Sequence, residues 1–427
     1  MLIGNLFQQL YSMVDAIVVG RYISGGALAA VGVAMNVVYF IASILIGLTT
    51  GAAVVIAQFY GAKQLDKLKD TFSVSIVSLF GLSIVVTALG VTLAPHILRL
   101  LNTDPDIFDD ALLYLRILMG GTVCPIYYNM YIAYLRALGD TRRPLYILIF
   151  TVVLSGVLTV YLVAYRGMGI AGAAASTIFA QFAAVILFYI YTRRFVPLLR
   201  VKKLMFDFKL FLLIFRYGAP AALQFTLVTL GTLIITRLIN SFGAPAMAAI
   251  TAVSRMDMLA TMPISTLSMA LSTFVAQNMG AGIEDRAIKG LKVAVLYMLI
   301  FAIAISALLM VFAPQLISMF LDQGDQNYTL ILDIGQNYLN IMVIFYFVFA
   351  VLFSLIGFFR GVGDAMMAMM FAVISLTFRT GSAYALVYLA GMGPEALAWS
   401  IPIGWGISSI GAFIYYKKRL WVGKVAI

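Results

Sequence analysis

The feature that most constrains this chain is a succession of apolar blocks, separated by short polar breaks. They fall near 2–22, 31–59, 71–94, 112–137, 145–165 and 169–191, then 210–239, 246–278, 286–314, 334–359, 366–390 and 394–416. A helix of about 20 apolar residues crosses a hydrocarbon core of about 30 Å. The pattern therefore predicts an all-α polytopic membrane protein with about twelve transmembrane helices. Composition agrees, with 63% of residues hydrophobic and 11% charged, where soluble domains carry about 25% charged residues. No connection between blocks is long enough to fold as a soluble domain. The phosphate-cradling GxxxxGK[ST] pattern is absent from the sequence, which argues against an ATP-driven pump built by this chain alone. One cysteine, Cys124, excludes an internal disulfide, and one histidine, His96, gives no metal-ligand spacing. An enzyme is not expected, nor a metal or an organic cofactor.

The distribution of Lys and Arg sets the expected orientation. Alternate loops, with the segment after the sixth span and the tail after the twelfth, hold 21 basic residues, whereas the opposite loops hold five: Arg21, Arg99, Arg116, Arg166 and Arg237. The opposite loops carry acids instead, such as Asp104, Asp106, Asp109 and Asp110. By the positive-inside rule both termini are expected on the cytoplasmic side of an inner membrane. Because the net charge of +11 is gathered at helix ends, it is read as topology and not as a nucleic-acid surface.

An internal repeat organises the spans. Gln8 and Arg21 match Gln224 and Arg237 at an offset of 216, and Ala57-Gln58 through Gly61-Ala62 match Ala276-Gln277 through Gly280-Ala281 at 219. Ala94-Pro95 matches Ala313-Pro314 at 219, and Arg136 to Asp140 match Arg360 to Asp364 at 224. Offsets that rise in order mark a duplicated unit with loop insertions. Six spans per unit give two six-helix bundles entering the membrane from the same side, a parallel repeat with a pseudo-two-fold along the membrane normal. The expected divisions are a bundle at 1–192, a basic connector at 193–209, a bundle at 210–416 and a basic tail at 417–427. The second copy's first helix has a lead-in, residues 206–219, with no equivalent before Leu2, so the first helix is expected to be clipped at its cytoplasmic end.

Within the first span, Gln8, Tyr11, Ser12 and Asp15 recur at helical spacing and form one polar stripe. Asp15 lies six residues short of Arg21, roughly 9 Å inside that end of the helix at 1.5 Å per residue. An ionisable group at such a depth is a functional candidate.

The sequence resembles the multidrug and toxic compound extrusion (MATE) family over essentially its whole length. The resemblance rests on Gly4-Asn5-Leu6-Phe7-Gln8-Gln9-Leu10-Tyr11-Ser12-Met13-Val14-Asp15 with Val19-Gly20-Arg21. Leu28-Ala29-Ala30-Val31-Gly32, Gln58-Phe59-Tyr60-Gly61-Ala62 and Arg136-Ala137-Leu138-Gly139-Asp140 add to it. In the second half Arg255, Asp257 and Gln277-Asn278-Met279-Gly280-Ala281-Gly282 contribute. The resemblance implies a secondary antiporter with two lobes of six helices, exporting drug-like cations in exchange for protons or sodium, with Asp15 matching the first-helix acid implicated in coupling. Many members carry an acid or Asn on the fifth helix, but residues 145–165 here hold neither, which favours protons over sodium.

Two carboxylates, Asp15 and Asp257, and two guanidiniums, Arg255 and Arg379, lie well inside the spans. Buried ions must pair or neutralise. Arg379 is expected to reach Asp257, leaving Asp15 without a deep partner and open to a proton or cation; the structural alternative is that Asp15 only holds helices together or closes against Arg21. The expected substrate or coupling cavity comprises Gln8, Tyr11, Ser12, Asn36, Gln224, Arg255, Asp257 and Arg379. Arg136 with Asp140 and Arg360 with Asp364 are expected as helix-end salt bridges or an inner gate. Expected partners are small drug-like cations and membrane lipid, with the chain monomeric and binding no nucleic acid. A lipid-linked oligosaccharide flippase of a related fold is the alternative, favouring a cationic cavity.

Overall fold

The computed structural model describes residues 4, 18, 20, 22–201, 204–319 and 326–425. Gln8, Tyr11, Ser12 and Asp15, and with them the first span, lie outside the described residues. Among the described residues every regular element is helical. The order is α1 (Gly25–Gly61), α2 (Leu65–Leu100), α3 (Pro105–Gly120), α4 (Val123–Ala137), α5 (Arg142–Thr159) and α6 (Gly169–Phe195). It continues with α7 (Phe208–Asn240), α8 (Ala244–Gly280), α9 (Glu284–Ser318), α10 (Tyr328–Ile344), α11 (Tyr346–Val362), α12 (Ala365–Tyr388) and α13 (Glu395–Lys417). Nine of the described helical stretches are long and apolar enough to cross a membrane singly, and α10 and α11, bent by 50° at their junction, are so as a pair.

The duplication read from the sequence reappears in the helix boundaries. α1 and α8 are both 37 residues long, and Gly25 and Gly61 precede Ala244 and Gly280 by 219 positions at both ends. The expected fourth span, 112–137, is two helices, α3 and α4, interrupted at Gly121 and Thr122. Its repeat partner breaks at Phe345, 224 positions after Gly121. Pro125 sits in the first turn of α4, where its missing N–H is no loss. Pro220 and Pro263 lie inside α7 and α8.

The chain divides into two compact units, Met1–Ala222 and Leu223–Ile427. The basic connector and the first turns of α7 therefore belong to the first unit. Ser73 of α2 fixes the connector by accepting from the Met205 N–H at 2.8 Å and donating to the Met205 carbonyl at 3.3 Å. Asp207 then opens α7 as its N-cap, accepting from the N–H groups of Lys209 and Leu210.

In the first unit α1 and α7 pack closely at small residues. A Cβ added at Gly47 or Gly51 would lie 2.2 or 2.3 Å from backbone atoms of Ala222 or Gly218, so the two backbones touch directly, as small residues permit in membranes. Further toward the start of α1, a core joins its Ala27, Ala30 and Ala34 to Tyr114, Leu115 and Met119 of α3. In the second unit Val253, Met256 and Ala260 of α8 pack with Tyr338, Met342 and Tyr346.

Candidate functional site

The described intramembrane charges gather in the second unit. Asp257 is half-buried on α8, and its Oδ1 accepts a hydrogen bond of 2.8 Å from the Tyr346 hydroxyl. Tyr346 is fully buried in the first turn of α11, so the break at Phe345 aims a phenol at the carboxylate. Arg379 of α12 acts on Asp257 and on Tyr338 through its charge. The expected direct ion pair is not among the salt bridges of the described residues. The carboxylate is met first by a neutral donor, and the guanidinium Nε of Arg379 is buried without a hydrogen-bond partner. Two residues before Asp257, Arg255 is exposed, because positions two apart on a helix face different ways. The cluster of Asp257, Tyr346, Tyr338 and Arg379 is thus a polar island in an apolar core. Sequence reading placed the two charges and missed both tyrosines, since nothing local distinguishes Tyr338 or Tyr346 from other tyrosines of the spans.

Gln224 and Arg360, assigned to different sites on sequence, are brought together. Both are buried, and Arg360 donates through Nη2 to Gln224 Oε1 at 3.1 Å. The expected pairing of Arg360 with Asp364 does not form. A four-residue ion pair needs a continuous helix, but the chain leaves α11 through Gly363 in the left-handed region, φ +107°. Asp364 lies beyond that turn and begins α12 as its N-cap, accepting from the Met367 N–H at 3.3 Å and from the Tyr415 hydroxyl at 2.6 Å.

The first unit repeats this arrangement. Gly139 turns at φ +89°, and Asp140 accepts from the Arg143 N–H at 3.3 Å and from the Tyr191 hydroxyl at 2.7 Å. Its salt bridge, at 3.6 Å, is with Arg143 and not with Arg136, which lies on the far side of the Gly139 turn. Arg136 is half-buried near the end of α4 and Asn36 is exposed on α1. Each Gly-Asp pair is therefore a hinge between helices, tied by a tyrosine from α6 in the first unit and from α13 in the second.

Comparison with known proteins decides the family. The MatE family model matches residues 1–162 and 220–385. The chain belongs to the MatE family. This MatE protein is 30% identical over 424 residues to the probable multidrug resistance protein YpnP of Bacillus subtilis, covering 98% of this chain and 93% of that one. It is 26% identical over 396 residues to the probable multidrug resistance protein NorM of Thermotoga maritima, covering 91% and 84%. It is also 26% identical over 365 residues, 81% of this chain and 78% of the relative, to a protein of Shewanella oneidensis named as an FAD transporter. Among solved structures, a MATE transporter in its bent conformation superposes with a TM-score of 0.91 at 22% identity, covering 98% of this chain and 93% of that one. The twelve-helix fold expected from the sequence is therefore that of the MatE transporters, and the protein is a membrane-embedded member of a transporter family whose relatives are named for multidrug resistance.

Proposed function

We propose that the protein is a secondary active antiporter of the cytoplasmic membrane, both termini on the cytoplasmic side, exporting organic cations or amphipathic drugs in exchange for protons, with Asp15 carrying the coupling ion. The observation that carries the reading is the emptiness of the first unit at the positions that bear charge in the second. At the repeat offset of 219, Arg255 and Asp257 correspond to Asn36 and Val38, and at 224 Arg379 corresponds to Ser155. Those positions of α1 and α5 thus offer no guanidinium to pair with a carboxylate of the first unit. Desolvation without a fixed cation favours taking up a proton, and the same carboxylate can release it as a cationic drug arrives. Asp257, by contrast, has Tyr346 and Arg379 beside it and serves as the fixed, structural carboxylate. The names of the Bacillus and Thermotoga relatives support drug export.

The test is purified protein in liposomes, assayed for efflux of a fluorescent organic cation under a pH gradient and then under a sodium gradient. Efflux should follow the pH gradient, and Asp15→Asn should lose drug-driven proton release while Asp257→Asn keeps it. Unchanged proton release in Asp15→Asn would remove the residue from the mechanism. A second reading, export or flipping of an anionic amphiphile such as a pyrophosphate-linked lipid, is favoured by exposed Arg255, by the unpartnered Nε of Arg379 and by the name of the Shewanella relative. In that case cation efflux is absent and Arg255→Gln abolishes transport of the anion.

A further inference from the structure

A groove of about 1310 Å³ runs between α2, α4, α6 and the connector at the basic end of the first unit. Its floor is aromatic: Phe72 and Tyr131 are buried, with ring centroids 6.2 Å apart, and the Tyr127 hydroxyl donates to the Ile76 carbonyl at 2.8 Å. Its open side is apolar, formed by the exposed side chains of Phe80, Ile186 and Ile190. Its mouth holds Arg193, Arg194 and Arg200. Arg200 is committed to the fold, since its Nε and Nη2 donate to the carbonyls of Arg193 and Arg194 at the end of α6, where the helix leaves acceptors unpaired. Arg193 donates to the Tyr189 hydroxyl at 2.6 Å. No carboxylate pairs with any of the three among the salt bridges of the described residues.

The second unit shows what this space is for by filling it. The repeat counterparts of Phe72, Ile76, Tyr127 and Tyr131 are Leu291, Val295, Val351 and Leu355, and all four belong to one packed cluster with Trp421 of the tail. Trp421 is 1% exposed, stands edge-on to Phe358 at 5.0 Å, and donates its indole N–H to the Tyr416 carbonyl. The first unit has no such indole in its connector. There Leu199 is buried and the groove beside it stays open.

We propose that the groove binds one acidic phospholipid of the leaflet facing the basic loops, with its phosphate on Arg193 and Arg194 and an acyl chain against Phe80, Ile186 and Ile190. Guanidinium matches phosphate in charge and in planar geometry, and basic pockets between spans on the positive side recognise anionic headgroups. The chain supplies the apolar filling that Trp421 provides in the other unit. The proposal is independent of what the protein transports.

The test uses the full chain in neutral detergent, with phosphatidylglycerol, phosphatidylcholine of the same acyl chains, or soluble glycerol phosphate added. Thermal melting and native mass spectrometry are the readouts. Phosphatidylglycerol should raise Tm more than phosphatidylcholine and survive as a one-to-one adduct, and glycerol phosphate should leave Tm unchanged. The difference between the lipids should fall by half or more in the double variant Arg193→Gln with Arg194→Gln, and return with Lys at both positions. Ile190→Trp, which fills the groove and leaves the guanidiniums in place, should lose the adduct too, and it decides the matter if the double variant does not fold. Equal effects of the two lipids, a full shift from glycerol phosphate alone, or a preference that survives Ile190→Trp would overturn the proposal.

Discussion

The two units are copies of one design whose differences lie in what closes each copy and in where charge is kept. The hinges match almost atom for atom: Asp140 and Asp364 cap the next helix at the same 3.3 Å and accept a tyrosine hydroxyl at 2.7 and 2.6 Å. Position 143 is Arg and pairs with its Asp, whereas its counterpart is Met367. The second unit holds a carboxylate, a guanidinium and two phenols in its core, and the first has neutral groups at the matching places. The second unit is also sealed by its tail through Trp421, and by the salt bridge of Arg419 with Glu284. The two copies thus share their hinges and differ in the interiors those hinges join.

The largest expected effect tests the seal. Trp421→Ala should cost about 3–5 kcal/mol in the second unit, the range for emptying a buried indole site. Leu199→Ala should cost about 2 kcal/mol in the first, because the groove beside it is already open. Melting followed by circular dichroism in one detergent checks both, and equal losses would mean that the units are sealed alike.

Next comes backbone contact. Gly51→Ala forces a methyl to 2.3 Å from Gly218 and should cost about 1–3 kcal/mol as overpacking. Its counterpart Ala270→Gly should cost about 1 kcal/mol, by helix propensity alone. Melting that leaves Gly51→Ala as stable as the parent would show that α1 and α7 can move apart.

The hinges should respond alike where their bonds match. Tyr191→Phe and Tyr415→Phe should each cost about 1 kcal/mol for the bond to the aspartate, with any excess for Tyr415→Phe in chemical denaturation reporting its second acceptor, the Leu420 carbonyl at 3.0 Å. The smallest effect concerns the turn after the first helix of each pair, where Lys63 adopts φ +58° and Gly282 adopts φ +72°. A left-handed residue with a Cβ is strained, so Lys63→Gly should gain about 0.5–1 kcal/mol, read as a small rise in Tm, whereas Gly282→Ala should lose a similar amount.

Much of this was legible beforehand, and the reason is range. Span positions, the rising repeat offsets, the sidedness of Lys and Arg and the deep charges at 255, 257 and 379 are local or periodic signals. A bilayer enforces them because each helix must be apolar and satisfy its own backbone. The sequence by itself therefore determined the class, the duplication and the list of charged candidates. Tertiary structure alone decided the partners. Arg360 meets Gln224 instead of Asp364, because one glycine at positive φ ends the helix between them. Asp257 meets Tyr346, 89 residues away, because the helix break at Phe345 turns that phenol inward. The groove of the first unit and the indole plug of the second are likewise invisible in residue order. Each depends on how a short segment beyond the last helix packs back on its own bundle, and such long-range packing leaves no period in the sequence to read.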